Sequence, residues 1–195
     1  VDCMKPIASG AENINGQLQN EDAKKIQSCC SNSIAYELVN PVVFEQPIAP
    51  HLAAAKENKK IAIAEIKQAY EQLASTNDFV IVEGIGGWRV PLSEECSLVQ
   101  LVRELKLPVI LVVGLRLGCI SHALMTKEVI AMDNVPLIGW VSNQPGEYYS
   151  NKEDTLQFLQ GSLSCVHIAD IPYMREFIPD KAVTAMDLSP LPGFT

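Results

Sequence analysis

The sequence predicts an α/β fold built on a mainly parallel, doubly wound sheet, and three observations carry that reading. Strand-like and helix-like segments alternate from end to end. The apolar, mostly β-branched run 79–82 ends on Glu83 and the glycines Gly84, Gly86 and Gly87, and open parallel sheets bind ligands just outside the carboxyl ends of their strands. The length, 195 residues of which 48% are hydrophobic and 19% charged, suits one domain with a sizeable core. Residues 1–195 are read as that single domain.

Residues 1–4 form a short strand that stops at Pro6. Asn20-Glu21-Asp22 has the form of an N-cap and first turn, opening a helix to about Cys29. Pro41 and Pro47 mark an irregular stretch, and Pro50 suits the first position of another helix. Over 63–73 the apolar Ile63, Ile66, Ala69, Tyr70 and Leu73 fall on one helical stripe. The run 79–83 reads as a buried strand. A helix follows over 98–105, then the strand 109–113, a helix from Ser121 to Met132 capped by Ser121, and the strand 136–141. A helix over 150–160 precedes the strand 165–168, and the proline-rich tail after Pro179 is expected to wrap the surface. The chain opens inside a strand and without an initiator Met, which predicts an upstream strand–loop–helix of about 30 residues.

Composition narrows the function. A net charge of -8 with no basic run argues against nucleic acid and anionic membranes as partners. The longest apolar run, 108–115, is strand-sized, well short of the ~20 residues of a spanning helix. The six cysteines include no CxxC pair, and His51, His122 and His167 are scattered. That pattern fits free thiols in a reducing cytosol better than a disulfide framework or a soft-metal site.

Several residues could carry chemistry, each beside a plainer reading. The turn after Glu83 brings backbone N–H groups close to any anion, so the carboxylate suggests a Mg²⁺–phosphate site; the alternative is a glycine-rich turn with a solvated acid. In Lys5-Pro6-Ile7-Ala8-Ser9-Gly10, Lys5 sits at the ligand edge and could neutralise a carboxylate, carbamate or phosphoryl oxygen, or be a surface lysine. Asp22 is either a second hard ligand or a complement to the helix dipole. Leu117-Gly118-Cys119-Ile120-Ser121 can cradle a carboxylate at a helix N-terminus, or form an ordinary βα turn; His122 reads as helix packing. Cys119 lacks a neighbouring base that would make it a nucleophile. Asn143 can read a base edge through its amide, and Asp170-Ile171-Pro172 closes the last strand at the same edge; both also suit turns.

In combination, Lys-Pro-x-Ala-Ser-Gly, Glu-Gly-x-Gly-Gly-Trp and Leu-Gly-Cys-Ile-x-His-Ala, with the segments 20–23, 39–51 and 139–143, closely resemble the dethiobiotin synthetase family. The similarity runs from Val1 to about Pro172. It implies a seven-stranded, mainly parallel fold of the P-loop NTPase type, a cytoplasmic homodimer, and a ring-closing ligase of biotin synthesis. The implied substrates are 7,8-diaminononanoate, CO₂ and ATP, with Mg²⁺.

On that resemblance Lys5 stabilises the carbamate and the transferring phosphoryl group, and Ser9 binds the diamine–carbamate end. Asp22 and Glu83 hold Mg²⁺, with Glu83 and Gly86 also facing the nucleotide, while Gly86 and Gly87 present backbone to the substrate. Leu117, Gly118, Cys119, Ile120 and Ser121 hold the substrate's carboxylate tail across the dimer interface. Asn143, with Asp170, Ile171 and Pro172, recognises adenine. Two departures stand out. No G-x-x-x-x-G-K-[ST] occurs in the chain, the family's phosphate-binding loop falling before the position of Val1, so this polypeptide by itself is expected to turn over poorly. Ala169 precedes Asp170 where a glycine is common. The alternative is a non-catalytic, P-loop-less substrate-binding or regulatory relative. A cobyrinate- or cobyrate-amidating synthase would need a glutaminase domain for which there is no room, and a partition-type ATPase would need a basic surface.

Overall fold

The computed structural model describes the chain except Tyr148, Pro192, Phe194 and Thr195. It comprises two compact units, residues 1–106 and 107–195. Parallel pairing dominates both, as the alternation of strand and helix predicts.

In the first unit, β1 (Asp2–Met4) and β2 (Ile7–Ser9) are separated by Lys5-Pro6. A hairpin follows, β3 (Glu12–Ile14) and β4 (Gln17–Gln19), around Asn15 and Gly16, both at positive φ. Asn-Gly is the strongest short hairpin signal, and it explains this element, which the alternating helix–strand reading passes over. Helix α1 (Glu21–Ser28) is capped by Asn20, whose side chain accepts from the Ala23 N–H. Then come α2 (Tyr36–Val39), β5 (Val42–Phe44), α3 (Pro50–Lys56) with proline in its first turn, and α4 (Ile63–Ala74), which buries Ile66, Ala69 and Leu73. The unit closes with β6 (Val80–Val82) and α5 (Leu98–Glu104). β1 pairs parallel with β6, and β2 parallel with β5. Met4, Ile7, Ala8, Val39, Phe44 and Ile66 are buried at 2% exposure or less and form the heart of its core.

One expectation for this unit fails. β6 is not a buried strand: Val80 and Val82 are half-buried and Ile81 is 60% exposed. Among the described residues its one strand neighbour is β1, so apolar content set its conformation without covering its Ile81 face.

In the second unit, β7 (Val109–Gly114), β8 (Leu137–Asn143) and β9 (Val166–Ile171) form one parallel sheet in the order β7-β8-β9. Helices α6 (Cys119–Met132) and α7 (Lys152–Leu163) connect them. Trp140, fully buried, packs with Val113, Leu115, Cys119, Ala123, Leu159 and Leu163. Several expectations for this unit shift. α6 starts at Cys119, with Gly118 at φ +90 as its N-cap, because glycine alone takes that left-handed geometry without strain; Ser121 is no cap. β9 runs on to Ile171 rather than ending at 168. The tail is not irregular throughout: α8 (Pro179–Thr184) starts on a proline, and Met186 bridges to Ala169, while Pro192, Phe194 and Thr195 lie outside the described residues. All six cysteines are free. The Cys3 thiol is pushed up to about 11 by burial and by neighbouring Cys30, which leaves little thiolate at neutral pH.

Candidate functional site

Strand register brings the first group together. Met4 pairs with Val82, so Lys5 and Glu83 leave β1 and β6 side by side, and the Glu83 N–H donates to the Met4 carbonyl at 2.8 Å. Lys5 is 6% exposed, a rare state for a lysine. Its ammonium lies 2.6 Å from Glu83 Oε1 and 3.5 Å from Asp22 Oδ2. Asp22 stands in the first turn of α1, where the helix dipole favours its charge. Two carboxylates from distant segments thus share one cation.

A buried chain of polar side chains fixes this geometry. The Lys5 carbonyl accepts from Asn40 Nδ2 at 2.7 Å, Asn40 Oδ1 accepts from the Tyr36 hydroxyl at 2.9 Å, and the Tyr36 oxygen accepts from the Asn20 N–H at 2.7 Å. Asn20 caps α1 with its oxygen and donates from Nδ2 to the carbonyls of Ser9 and Gly10, both at 3.3 Å. Lys5, the Ser9–Gly10 turn and the helix carrying Asp22 are therefore held through Asn40, Tyr36 and Asn20. Of these, the sequence signalled only Asn20, as a cap. Tyr36 and Asn40 are four residues apart, the spacing of helix neighbours, but nothing in the sequence ties them to Lys5.

Ser9 Oγ is buried and has no hydrogen-bond partner among the described residues. A buried hydroxyl without one is destabilising by about 1–3 kcal/mol, and a polar ligand group at Ser9 would remove that penalty. At the glycine turn, Gly86 has φ +74, and a Cβ there would lie 2.5 Å from Val90 Cγ2. Nothing crowds Gly87, but its N–H already donates to the Ile85 carbonyl at 3.0 Å. Backbone presentation at this turn therefore falls to Gly86 more than to Gly87.

The donor set suits a hard divalent cation that shares its shell with phosphate oxygens. Mg²⁺ commonly takes one or two carboxylates and keeps its other positions for water and phosphate. Asp22 and Glu83 already converge on a cation, and both are more than half exposed. Among the described residues no group of three or more His, Cys, Asp or Glu side chains is placed to hold a metal.

In the second unit, Leu117 is 96% exposed and Gly118 and Ser121 are exposed, whereas Cys119 is 3% exposed within the core. Cys119 can offer only backbone to a ligand. His122 is exposed rather than packed, because the start of α6 at Cys119 turns Cys119 and Ala123 inward instead. Asn143 ends β8 opposite Ile171, and its carbonyl accepts from the Leu115 N–H at 2.8 Å. Asp170 Oδ1 accepts from Ser142 Oγ at 2.8 Å and Oδ2 pairs with Lys152 at 2.7 Å. Pro172 follows the strand and is exposed. No helix among the described residues is long and apolar enough to cross a membrane.

Comparison with known proteins places the chain in a family. A family model described as "AAA domain" matches residues 1–181. A protein of Pseudomonas aeruginosa (strain ATCC 15692), named ATP-dependent dethiobiotin synthetase, is 44% identical over 188 residues, covering 96% of this chain and 82% of that protein. The same name is borne by a protein of Aromatoleum aromaticum, 41% identical over 185 residues (95% and 82%), and by one of Aliivibrio salmonicida, 39% identical over 170 residues (87% and 75%). With its parallel ladders and interleaved helices, the fold is of the P-loop NTPase type. The chain belongs to the dethiobiotin synthetase family.

Proposed function

We propose that this protein is an ATP-dependent ring-closing ligase of biotin biosynthesis, converting 7,8-diaminononanoate and CO₂ to dethiobiotin. The observation that carries the reading is the buried Lys5 ammonium between the carboxylates of Asp22 and Glu83, at the carboxyl ends of β1 and β6.

One amine of the substrate adds to CO₂, giving a carbamate and releasing a proton. Lys5 is the charge that steadies the carbamate oxygens, and Ser9 supplies the hydrogen bond its unpartnered Oγ is free to make. A carbamate oxygen then attacks the γ-phosphorus of ATP and ADP leaves, forming a carbamic–phosphoric anhydride. The second amine attacks the carbonyl carbon, closes the ring and expels phosphate. Charge spreads over the transferring oxygens throughout, so positioned cations and N–H donors do most of the work. Asp22 and Glu83 would hold Mg²⁺, which when bound supplies further neutralisation of phosphate charge.

Gly86 presents backbone at this centre, with Gly87 beside it. Leu117, Gly118, Cys119, Ile120 and Ser121 hold the substrate's carboxylate, through backbone in the case of Cys119. Asn143 with Asp170, Ile171 and Pro172 forms the nucleoside end. We read residues 1–195 as a single domain, a reading supported by the match of one family model across both units. A cytoplasmic homodimer completes the proposal.

The rival reading is a substrate-binding relative without catalysis. The two part in one experiment, with 7,8-diaminononanoate, bicarbonate and MgATP given to the purified protein. Dethiobiotin and phosphate in equal amounts, lost in Lys5→Met, support the ligase. Diamine binding with no nucleotide binding and no product would establish the binding relative.

A further inference from the structure

The β8–β9 ladder contains an irregularity that changes which side chains meet. Trp140 pairs with His167, but Val141 pairs with Ala169, so Ile168 is an extra residue. Along an unbulged strand His167 and Asp170 would point to opposite faces. The extra residue returns Asp170 to the face of His167, the face shared by Trp140 and Ser142. There the rings of Trp140 and His167 stack at 4.0 Å. Ser142 Oγ lies 3.0 Å from His167 Nε2 and 2.8 Å from Asp170 Oδ1. Gly139 leaves room for the bulged residue, since a Cβ there would come within 2.4 Å of Ile168 Cδ1.

Proton directions along this row follow from the donors available. Burial lowers the pKa of His167, against the opposing pull of the Asp170 charge, so the ring is neutral at pH 7. With the proton on Nε2, the ring donates to Ser142, and Ser142 keeps its single proton for Asp170. Nδ1 then accepts from Gln160 Nε2 at 3.4 Å. The other tautomer would draw the Ser142 proton away from Asp170, so the Nε2–H form satisfies more groups. Lys152 donates to the second oxygen of Asp170. Both oxygens of Asp170 are therefore held by this chain, whereas the Lys152 ammonium has used one of its three N–H bonds.

Lys152 is poorly placed for a purely structural lysine. It opens α7 at the positive end of the helix dipole, where a cation is disfavoured by about 0.3–1 kcal/mol. The next two residues, Glu153 and Asp154, show the usual choice. Its side chain is 21% exposed, and Asp170 is its one ion-pair partner among the described residues. The pair lies at the carboxyl ends of β8 and β9, one step in register from Asn143 and Ile171.

We propose that Lys152 is a nucleoside-binding residue whose ammonium, aimed by Asp170, donates to an acceptor oxygen of the nucleotide, a ribose hydroxyl or a base carbonyl. Ser142 and His167 are positioning residues, and Asp170 supports the cation rather than touching the ligand by itself. This rests on the reading of Asn143 and Asp170 as the nucleoside end of the site.

Equilibrium titrations of the protein with ATP, CTP and inorganic tripolyphosphate test it, each variant being checked for an unchanged circular dichroism spectrum. Lys152→Met is expected to weaken nucleotide binding about tenfold, the range of a charge-assisted hydrogen bond, and Lys152→Arg to recover most of it. Weakening of ATP and CTP but not tripolyphosphate identifies a ribose oxygen. Weakening of CTP alone identifies a base carbonyl, which adenine lacks. His167→Gln, which keeps a donor towards Ser142, is expected to bind as the parent does, and His167→Phe, which keeps only the stack, to bind severalfold less tightly. Parent binding that Lys152→Met leaves unchanged, or a loss equal for tripolyphosphate, overturns the assignment of Lys152 while leaving the site reading intact. A parent protein that binds no nucleotide overturns both.

Discussion

The two units assemble polar groups by opposite means. In residues 1–106, Lys5, Asp22 and Glu83 come from segments far apart in the chain, and buried side chains tie their supports together: Asn40, Tyr36 and Asn20. In residues 107–195, Ser142, His167 and Asp170 sit on two adjacent strands, and a one-residue bulge turns them to one face. The first arrangement depends on side-chain hydrogen bonds, the second on backbone register and on what fits beside it. Substitutions should separate the two.

The largest stability effect is expected at Asn40. Asn40→Ala leaves the Lys5 carbonyl, the Val42 carbonyl and the Tyr36 hydroxyl without that partner in a buried setting, a loss of about 3 kcal/mol. Urea unfolding measures it, and a change under 1 kcal/mol would mean that water or backbone shifts replace the network. In the other unit the sharpest test is steric. Gly139→Ala should destabilise by about 1–3 kcal/mol through overpacking against Ile168. Adding Ile168→Val, which removes Cδ1, should restore part of that loss, whereas simple additivity of the two changes would contradict the contact.

Asn20→Ala comes next, at about 1 kcal/mol for the lost cap. Asn20→Asp should keep the cap yet lose the Nδ2 bonds to Ser9 and Gly10, so it separates helix capping from support of the turn. The smallest effect is one of pH. His167 has a lowered pKa, so the folded state takes up its proton less readily than the unfolded state. Stability from this group is complete above about pH 6.5, the unperturbed value, and falls as pH drops through the folded pKa. His167→Gln should flatten that part of the stability–pH curve, and an unaltered slope would show that the ring titrates normally.

How much of this was legible in the sequence differs between the units for the same reason. Asn20 and Pro50 announce their helices by local chemistry, and both begin where local chemistry puts them. Lys5, Asp22 and Glu83 were each ambiguous alone. Their order along the chain, in the company of the glycine turn, marked them, and the structure brings these three together. Tyr36 and Asn40 carry no such mark, because a buried polar network depends on tertiary neighbours that no local pattern encodes. The bulge at Ile168 was equally invisible: it moves Asp170 to the other face, whereas alternation assumes strict period two. Gly139 was its one sequence trace, a glycine inside a strand, which often marks a bulge or a close approach. Exposure of Ile81 is not legible in the sequence, because apolar composition specifies a strand without saying what covers it.

In the proposed ligase, Lys5 with Ser9 holds a carbamate of the diamine. In the proposed reaction carbamate formation precedes phosphoryl transfer, so it is measurable without nucleotide. The most direct measurement is ¹³C NMR of the protein with 7,8-diaminononanoate and ¹³C-bicarbonate. A protein-bound carbamate carbon resonance, present in the parent and absent in Lys5→Met, is the result predicted here. No such resonance in the parent while the diamine binds, or an undiminished one in Lys5→Met, would contradict it.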